Sequence, residues 1–166
     1  EVLGKAASAK RLLELEELDL LETNAHEGGE FLAQALGAGQ LPKLKKLCLP
    51  LRNECISALT RAFGLNDLPA LERLQVRSRF REGGLRALAE GLRPSTLPSL
   101  ERLDFFSIGV GSAVSVDEGE VLGSALNEGR LPALKNVSLS GMRSAIDRLR
   151  ERDWGIGREI ILNLFS

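Results

Sequence analysis

The chain repeats one short pattern at nearly constant intervals, and this repetition constrains its fold more than any other feature. In each copy the apolar residues follow the order L-x-x-L-x-L, as at Leu44, Leu47 and Leu49. The second leucine-type position recurs at intervals of 29, 27, 29 and 34 residues. It is held by Leu18, Leu47, Leu74, Leu103 and Val137. Because the L-x-L half has a period of two, both of its side chains lie on one face of a short strand. Five strands are predicted, near residues 15–20, 44–49, 71–76, 100–105 and 134–139.

A second recurring pattern lies between the predicted strands and has helical spacing. Each unit ends in a Leu-Pro pair, and apolar residues stand nine and five positions before that leucine. These apolar pairs are Leu32 and Leu36, Leu59 and Phe63, Leu88 and Leu92, and Leu122 and Leu126. A spacing of four places each pair on one face of a helix, and the proline that follows ends the helix. Each unit is therefore a strand and a helix that bury their apolar faces only by stacking on neighbouring units.

With five copies in register, the chain resembles leucine-rich repeat proteins of the ribonuclease-inhibitor-like type, whose repeats are about 28 residues long. The resemblance covers residues 1–140 and implies an α/β solenoid, a curved horseshoe with a parallel sheet on its concave side and helices on its convex side. Residues 141–166 are then a degenerate last repeat or a C-terminal cap.

The family usually has Asn three residues after L-x-L, where it bonds the backbone between turns. The chain has Thr23, Arg52, Arg79, Ile108 and Met142 there. Another group must satisfy that backbone.

The first residues also follow the repeat. Residues 2–13 align without gaps on residues 31–42 and 121–132, which belong to predicted helices. Solenoids require terminal caps, and no polar cap precedes this segment. We therefore expect the chain to be a piece of a longer protein, or to lack its true start.

Composition narrows the classes of partner. The charges of the 22 basic and 23 acidic side chains nearly cancel. The net charge of the chain therefore does not favour binding to nucleic acid or to an anionic membrane. Aromatic residues make up only 4%, which leaves few groups for stacking on bases. No run of eighteen apolar residues exists, so no membrane span is expected. Two cysteines, Cys48 and Cys55, are few for a secreted chain of this size and favour an intracellular location.

The sequence shows no enzyme signature. Its single histidine, His26, precedes the first full helix, where a turn or cap residue is more usual than a catalytic base. The stretches GVG at 109 and GIG at 155 lack the third glycine of a dinucleotide loop, and no phosphate-loop motif is present. The two cysteines do not have zinc-site spacing. We therefore predict a protein that is not an enzyme and that holds no cofactor and no metal.

The residues that alternate with the leucines form the best candidate site. If the leucines point into the core, these residues point out of the opposite face of the sheet. The predicted partner-binding residues are Lys46, Cys48, Arg73, Gln75, Arg77, Arg102, Asp104 and Phe106. Arginine and exposed aromatic residues are enriched at interface hot spots, and the basic middle of this face predicts a protein partner with an acidic surface. The resemblance adds that the family typically binds through this face. The alternative is that exposed strand positions are simply polar. Cys48 is either a reactive thiol or a free thiol without a chemical role.

A second candidate site lies in the longest of the four intervals, which has five residues more than the interval before it. They fall within residues 105–116, a segment without charged side chains. This segment is either a contact for a partner or an insertion that the fold tolerates.

We predict a protein–protein recognition module that presents a rigid concave binding face. One alternative is a structural subunit of a large assembly. A second is a GTPase-activating protein, since one branch of the repeat family has that activity, although no residue here can be assigned to it. The sequence does not fix the partner or the oligomeric state.

Overall fold

The computed structural model describes residues 12–23, 29–65, 68–93, 96–108, 114–151 and 161–165. Strands and helices alternate along this part of the chain, which confirms the predicted α/β pattern. The strands are β1 Glu17–Asp19, β2 Lys46–Leu51, β3 Arg73–Ser78, β4 Arg102–Ser107, β5 Asn136–Ser140 and β6 Ile161–Phe165. The helices are α1 Gly29–Gly37, α2 Asn53–Leu65, α3 Gly84–Gly91, α4 Val116–Asn127 and α5 Arg143–Glu151. The segment 1–11, His26, residues 109–113, Trp154 and the GIG stretch lie outside the described residues.

The strands form one parallel sheet in the order of the chain, from β1 to β6. The register aligns equivalent positions of successive repeats, so that Leu47 pairs with Leu74 and Leu74 pairs with Leu103. The same row continues to Leu18 on one side and to Val137 on the other. Since side chains alternate between the two faces of a strand, this register places all the repeated leucines on one face of the sheet.

All the described helices pack on that leucine face. Leu47, Leu74 and Leu103 are fully buried, and helix residues such as Leu59 and Leu88 belong to the same apolar cluster. Of the eight helix positions predicted to face the core, seven are buried and Leu126 is partly buried against the cluster. Burying one such leucine contributes about 1.5–3 kcal/mol, so this two-layer packing is the main source of stability. The opposite face of the sheet, which we call the polar face, has no described helix on it.

Two glycines set how closely the helices approach one another. A Cβ atom on Gly91 of α3 would lie 2.5 Å from Cβ of Thr60 in α2. A Cβ atom on Gly119 of α4 would lie 2.7 Å from the carbonyl oxygen of Ala145 in α5. Both distances are too short for a real carbon atom, so a larger residue at either position would push the helices apart.

A buried carboxylate joins α3 to α4. Glu118 belongs to a capping box with Ser115 at the start of α4, and its Oε2 accepts the N–H of Ser115 at 3.0 Å. Its Oε1 accepts the N–H groups of Leu85 at 3.1 Å and Arg86 at 3.3 Å, in the first turn of α3. Helix starts carry partial positive charge and unpaired N–H groups, so the carboxylate stabilises both helix ends at once.

At two of the positions where the family usually has asparagine, the structure shows which groups bond the main chain instead. The N–H of Ile108 donates to the carbonyl of Ser78 at 3.0 Å, which continues the pairing of β3 and β4 by one residue. Thr23 acts locally, since its N–H and its hydroxyl both donate to the carbonyl of Leu20. At these two positions the strand end is therefore satisfied without the asparagine bridge that the resemblance implies.

The other end of the strands has a regular main-chain contact. The carbonyl of Glu16 accepts two N–H groups from the next repeat, those of Lys45 at 2.7 Å and Lys46 at 3.1 Å. The same arrangement recurs in the repeats that follow. The further acceptors are Lys45, Glu72 and Glu101. This repetition fixes the register at the same point of each unit.

Within the described residues, no helix combines the length and the apolar character that crossing a membrane requires.

Candidate functional site

The register brings the eight predicted site residues together on the polar face. They occupy three rows that run across β2, β3 and β4. The first row is Lys46, Arg73 and Arg102; the second is Cys48, Gln75 and Asp104; the third is Pro50, Arg77 and Phe106. Because neighbouring strands lie about 4.8 Å apart, adjacent members of a row are within reach of each other. The face is therefore a continuous surface made of residues that are far apart in the sequence.

A buried carboxylate lies at the centre of this face. The side chain of Asp104 is only 1% exposed. Arg102 Nε donates to both of its oxygens, at 3.1 Å and 2.8 Å, and Arg73 Nη2 donates to Oδ2 at 3.2 Å. Arg73 Nη2 also donates to Gln75 Oε1 at 3.0 Å. A buried carboxylate is costly unless it is paired and hydrogen-bonded, and the two guanidinium groups meet that requirement. In return, Asp104 fixes the positions of both arginines.

Cys48 is a buried thiol rather than a reactive one. It has no exposed surface, and its Sγ lies 3.8 Å from Gln75 Oε1. Burial raises the pKa of the Cys48 thiol, and the nearby carboxylate of Asp19 raises it further. Since the thiolate is the nucleophile, a raised pKa together with burial keeps this thiol inert at neutral pH. Cys48 and Cys55 are both thiols and do not form a disulfide.

The positive charges in the middle of the polar face are largely matched by carboxylates. Lys46 Nζ lies 3.5 Å from Asp19 and 3.6 Å from Glu17, both on β1. Arg77 Nη1 reaches across β2 to Glu22, at 3.2 Å. With the pairing of Arg73 and Arg102 to Asp104, four cations meet four carboxylates on or beside this face. The basic middle that the sequence suggests is thus a set of ion pairs.

Exposure divides the predicted residues into two groups. Cys48 and Asp104 are buried and lie beneath the surface, so they support the site and do not meet a partner directly. Arg102 is the most exposed of the three paired arginines, with 45% of its side chain accessible. The remaining predicted residues are half-buried. They are Lys46, Arg73, Gln75, Arg77 and Phe106. An approaching molecule would therefore meet the arginines, Lys46, Gln75 and the ring of Phe106.

Sequence reasoning missed Glu22 as a member of this surface. It follows β1 in the loop before α1, and its partner Arg77 is 55 residues further along the chain. No local pattern links the two residues. Only the register, which places β1 two strands from β3, indicates that they can meet.

The described residues contain no group of three or more His, Cys, Asp and Glu side chains arranged to hold a metal ion. Comparison of the sequence with models of known protein families, and with curated proteins, gave no match.

Proposed function

We propose that this chain is a protein–protein recognition module of the leucine-rich repeat type and that it binds its partner through the polar face. The observation that carries the proposal is the cluster of Arg73, Asp104 and Arg102. Arginine is among the residues that most often contribute large binding energies at interfaces. Here two arginines are already held in place by a buried carboxylate, so less side-chain entropy is lost when a partner binds.

In this proposal the repeats form a curved solenoid of the ribonuclease-inhibitor-like type. Residues 1–140 supply the repeats, and residues 141–166 supply a last repeat or a cap. The polar face then lines the concave side, and the helices cover the convex side. Support comes from the equal register of successive strands and from the main-chain contact that recurs at Glu16, Lys45, Glu72 and Glu101.

The module is proposed to act by binding alone, inside the cell, without catalysis and without a cofactor. The polar face supports binding without catalysis because most of its charged groups form ion pairs and the Cys48 thiol is buried, with a raised pKa. A surface of this kind offers positioned hydrogen-bond donors and an aromatic ring, which are the means of recognition.

Site-specific photo-crosslinking tests the proposal. A photoreactive phenylalanine analogue replaces Phe106 on the polar face, and the matched control places it at Arg61, which is exposed on α2 on the other side of the molecule. In lysate of the source organism, a recognition module is expected to crosslink one protein from position 106 and not from position 61. Equal crosslinking from both positions, or none from position 106, would argue against binding through this face.

A second candidate function, a structural subunit of a large assembly, is favoured by a different observation. Ile108 and Val116 belong to the uncharged segment 105–116, and these residues are 40% and 46% exposed. In this second proposal, the assembly covers these two exposed apolar residues. If this candidate is right, replacing both residues with serine raises the solubility of the isolated chain and abolishes its incorporation into the assembly. The same double substitution would leave crosslinking from position 106 unchanged.

A further inference from the structure

We propose that the partner contributes an acidic side chain, aspartate or glutamate, whose carboxylate binds the guanidinium groups of Arg102 and Arg73. This inference rests on the proposed function, because it names the chemistry of the group that the polar face recognises.

The first argument is the distribution of charge. Lys46 lies between two carboxylates, and Arg77 has Glu22. Arg73 and Arg102, in contrast, share the single carboxylate of Asp104. This cluster of two arginines and one carboxylate therefore carries one surplus positive charge. Attraction between partners is strongest where such a surplus meets an opposite charge.

The second argument is the geometry of Arg102. Its Nε is bonded to both oxygens of Asp104, which leaves the edge formed by Nη1 and Nη2 without a partner among the described residues. A guanidinium group is planar and presents parallel N–H donors that match the two oxygens of a carboxylate. Asp104 thus orients Arg102 from one side and leaves its bidentate edge available on the other.

The third argument is the surroundings of this edge. In the register of the sheet, the neighbour of Arg102 on β5 is Asn136, and the next polar-face positions on β5 are Ser138 and Ser140. None of them carries a charge, so no carboxylate on β5 competes with an incoming one. Asp104 itself is buried and already accepts three hydrogen bonds.

The size of the surplus favours a carboxylate over a phosphate. One surplus positive charge matches the single negative charge of an aspartate or glutamate. A phosphorylated residue carries about −1.5 to −2 charges at neutral pH, which is more than the one surplus charge of this arginine pair can balance.

A peptide titration tests the inference without knowledge of the partner. The probe is the capped peptide acetyl-Gly-Glu-Gly-Glu-Gly-amide, and the binding signal is the NMR shift of the arginine Nε–H groups in the full chain. We expect a saturable shift at Arg102. We expect no shift with the same peptide in which both glutamates are replaced by glutamine. A linear response, or equal shifts with the glutamine peptide, would overturn the inference.

Two variants separate a positioned contact from simple charge attraction. Arg102→Lys keeps the charge but loses the planar fork, so binding of the glutamate peptide should weaken at least about tenfold. Asn136→Asp leaves Asp104 and both arginines intact but places a competing carboxylate beside Arg102, and should weaken binding about fivefold or more. The matched controls, Arg61→Gln and Asn127→Asp, change charge on exposed helix positions and should leave the affinity unchanged. Circular dichroism first confirms that both test variants fold. If both then bind the glutamate peptide as tightly as the parent chain does, the proposal is contradicted.

The phosphate alternative is tested with the same peptide carrying phosphoserine in place of each glutamate. Equal or weaker binding of this peptide supports the carboxylate. Binding more than about tenfold tighter, equivalent to about 1.4 kcal/mol, would assign the site to phosphate and overturn the proposal.

The crosslinking experiment distinguishes failure of this inference from failure of the proposed function. If the partner still crosslinks from position 106 with undiminished affinity in Arg102→Lys and Asn136→Asp, recognition through the polar face stands and the carboxylate contact is wrong. If nothing crosslinks from position 106, the recognition function is wrong, whatever the peptide titration shows.

Discussion

Glu118 and Arg130 hold the two ends of the same helix, α3, although both belong to the repeat that follows it. Glu118 accepts two N–H groups at the start of α3. At the other end, Arg130 Nη1 donates to the carbonyls of Ala89 and Leu92, each at 3.3 Å. The start of a helix attracts negative charge and the end attracts positive charge, so each side chain lies where the helix dipole favours it. The stability of α3 therefore depends on the next repeat.

Replacing Glu118 with alanine is expected to lower the free energy of unfolding by about 2–4 kcal/mol. The substitution leaves the N–H groups of Leu85, Arg86 and Ser115 without their acceptor. Urea denaturation measures the loss, and hydrogen exchange should show that the first turn of α3 opens before the sheet does. Asp117→Ala is the matched control, because that carboxylate is exposed one residue earlier and should cost only about 0.5 kcal/mol. Equal losses for the two variants would refute the bridging role.

Replacing Asp104 with alanine is expected to destabilise the protein by about 1–3 kcal/mol. It leaves Arg73 and Arg102 side by side without their shared counter-ion. The value lies below that of a fully buried pair because both arginines are partly exposed and can be hydrated. Thermal unfolding provides the measurement, with Glu72→Ala, an exposed carboxylate at the strand edge, as the control. If the two variants melt at the same temperature, the cluster does not stabilise the sheet.

Two glycine-to-alanine substitutions in helices should have opposite effects. Gly119→Ala places a carbon 2.7 Å from a carbonyl oxygen of α5, so the helices must separate at a cost of about 1–3 kcal/mol. Gly64→Ala, near the end of α2, meets only the flexible end of Arg93 at 3.7 Å. It should stabilise the protein by up to about 1 kcal/mol through helix propensity. Chemical denaturation of both variants decides the matter, and stabilisation by Gly119→Ala would show that the two helices are not in the close contact described.

The two cysteines should differ in reactivity. Cys48 is fully buried and its pKa is raised, whereas Cys55 is half-buried at the start of α2. With iodoacetamide near neutral pH, we expect Cys55 to be modified first and Cys48 to react only after unfolding. Mass spectrometry of the digested protein locates the modified residue. Alkylation of native Cys48 at the rate of a cysteine peptide would contradict its burial.

The ion pair of Glu16 and Lys45 should produce a small pH dependence of stability. A hydrogen bond from Lys45 at 2.7 Å lowers the pKa of Glu16 below its ordinary value of 4.5, and the same bond raises the pKa of Lys45 above 10.5. A lowered carboxyl pKa contributes stability that is present above pH 4.5 and is lost as the pH falls through the folded-state pKa. The raised lysine pKa contributes stability below pH 10.5 that is lost as the pH rises through the folded-state pKa.

Denaturation of the parent chain and of Glu16→Gln at several pH values tests this pair. The difference in unfolding free energy should be constant near neutral pH and should disappear in acid. Because the pair is largely exposed, it should also disappear in about 1 M salt, where the screening length is about 3 Å. A difference that persists in acid and in salt would need a cause other than the ion pair.

The sheet could be predicted from the sequence because its signals are local and repeated. Leu47, Leu74 and Leu103 stand at equal places in successive copies, and the alternation of apolar residues around them places them on one face. Their burial and their pairing in one row follow directly from that pattern. The position of the eight predicted site residues on the other face follows from the same alternation.

The ion pairs of the polar face could not be predicted, because they depend on which side chains meet across strands. Asp104 has the same alternation as Gln75, so the sequence suggests an exposed residue, yet two arginines cover it. Part of the structural role of Glu118 could be predicted from the sequence. The spacing from Ser115 to Glu118 is that of a capping box, which could have identified its role in α4. Its bond to α3 joins residues more than thirty positions apart and depends on how the helices pack.

The order of the strands has a consequence for how the chain is made. Every strand from β2 to β6 pairs in parallel with the strand that precedes it in the sequence. During synthesis, each strand from β2 to β6 therefore leaves the ribosome when the preceding strand with which it pairs has already been translated. The sheet can be laid down in the order of translation, so that its growing edge, rather than a distant part of the chain, receives each newly made repeat.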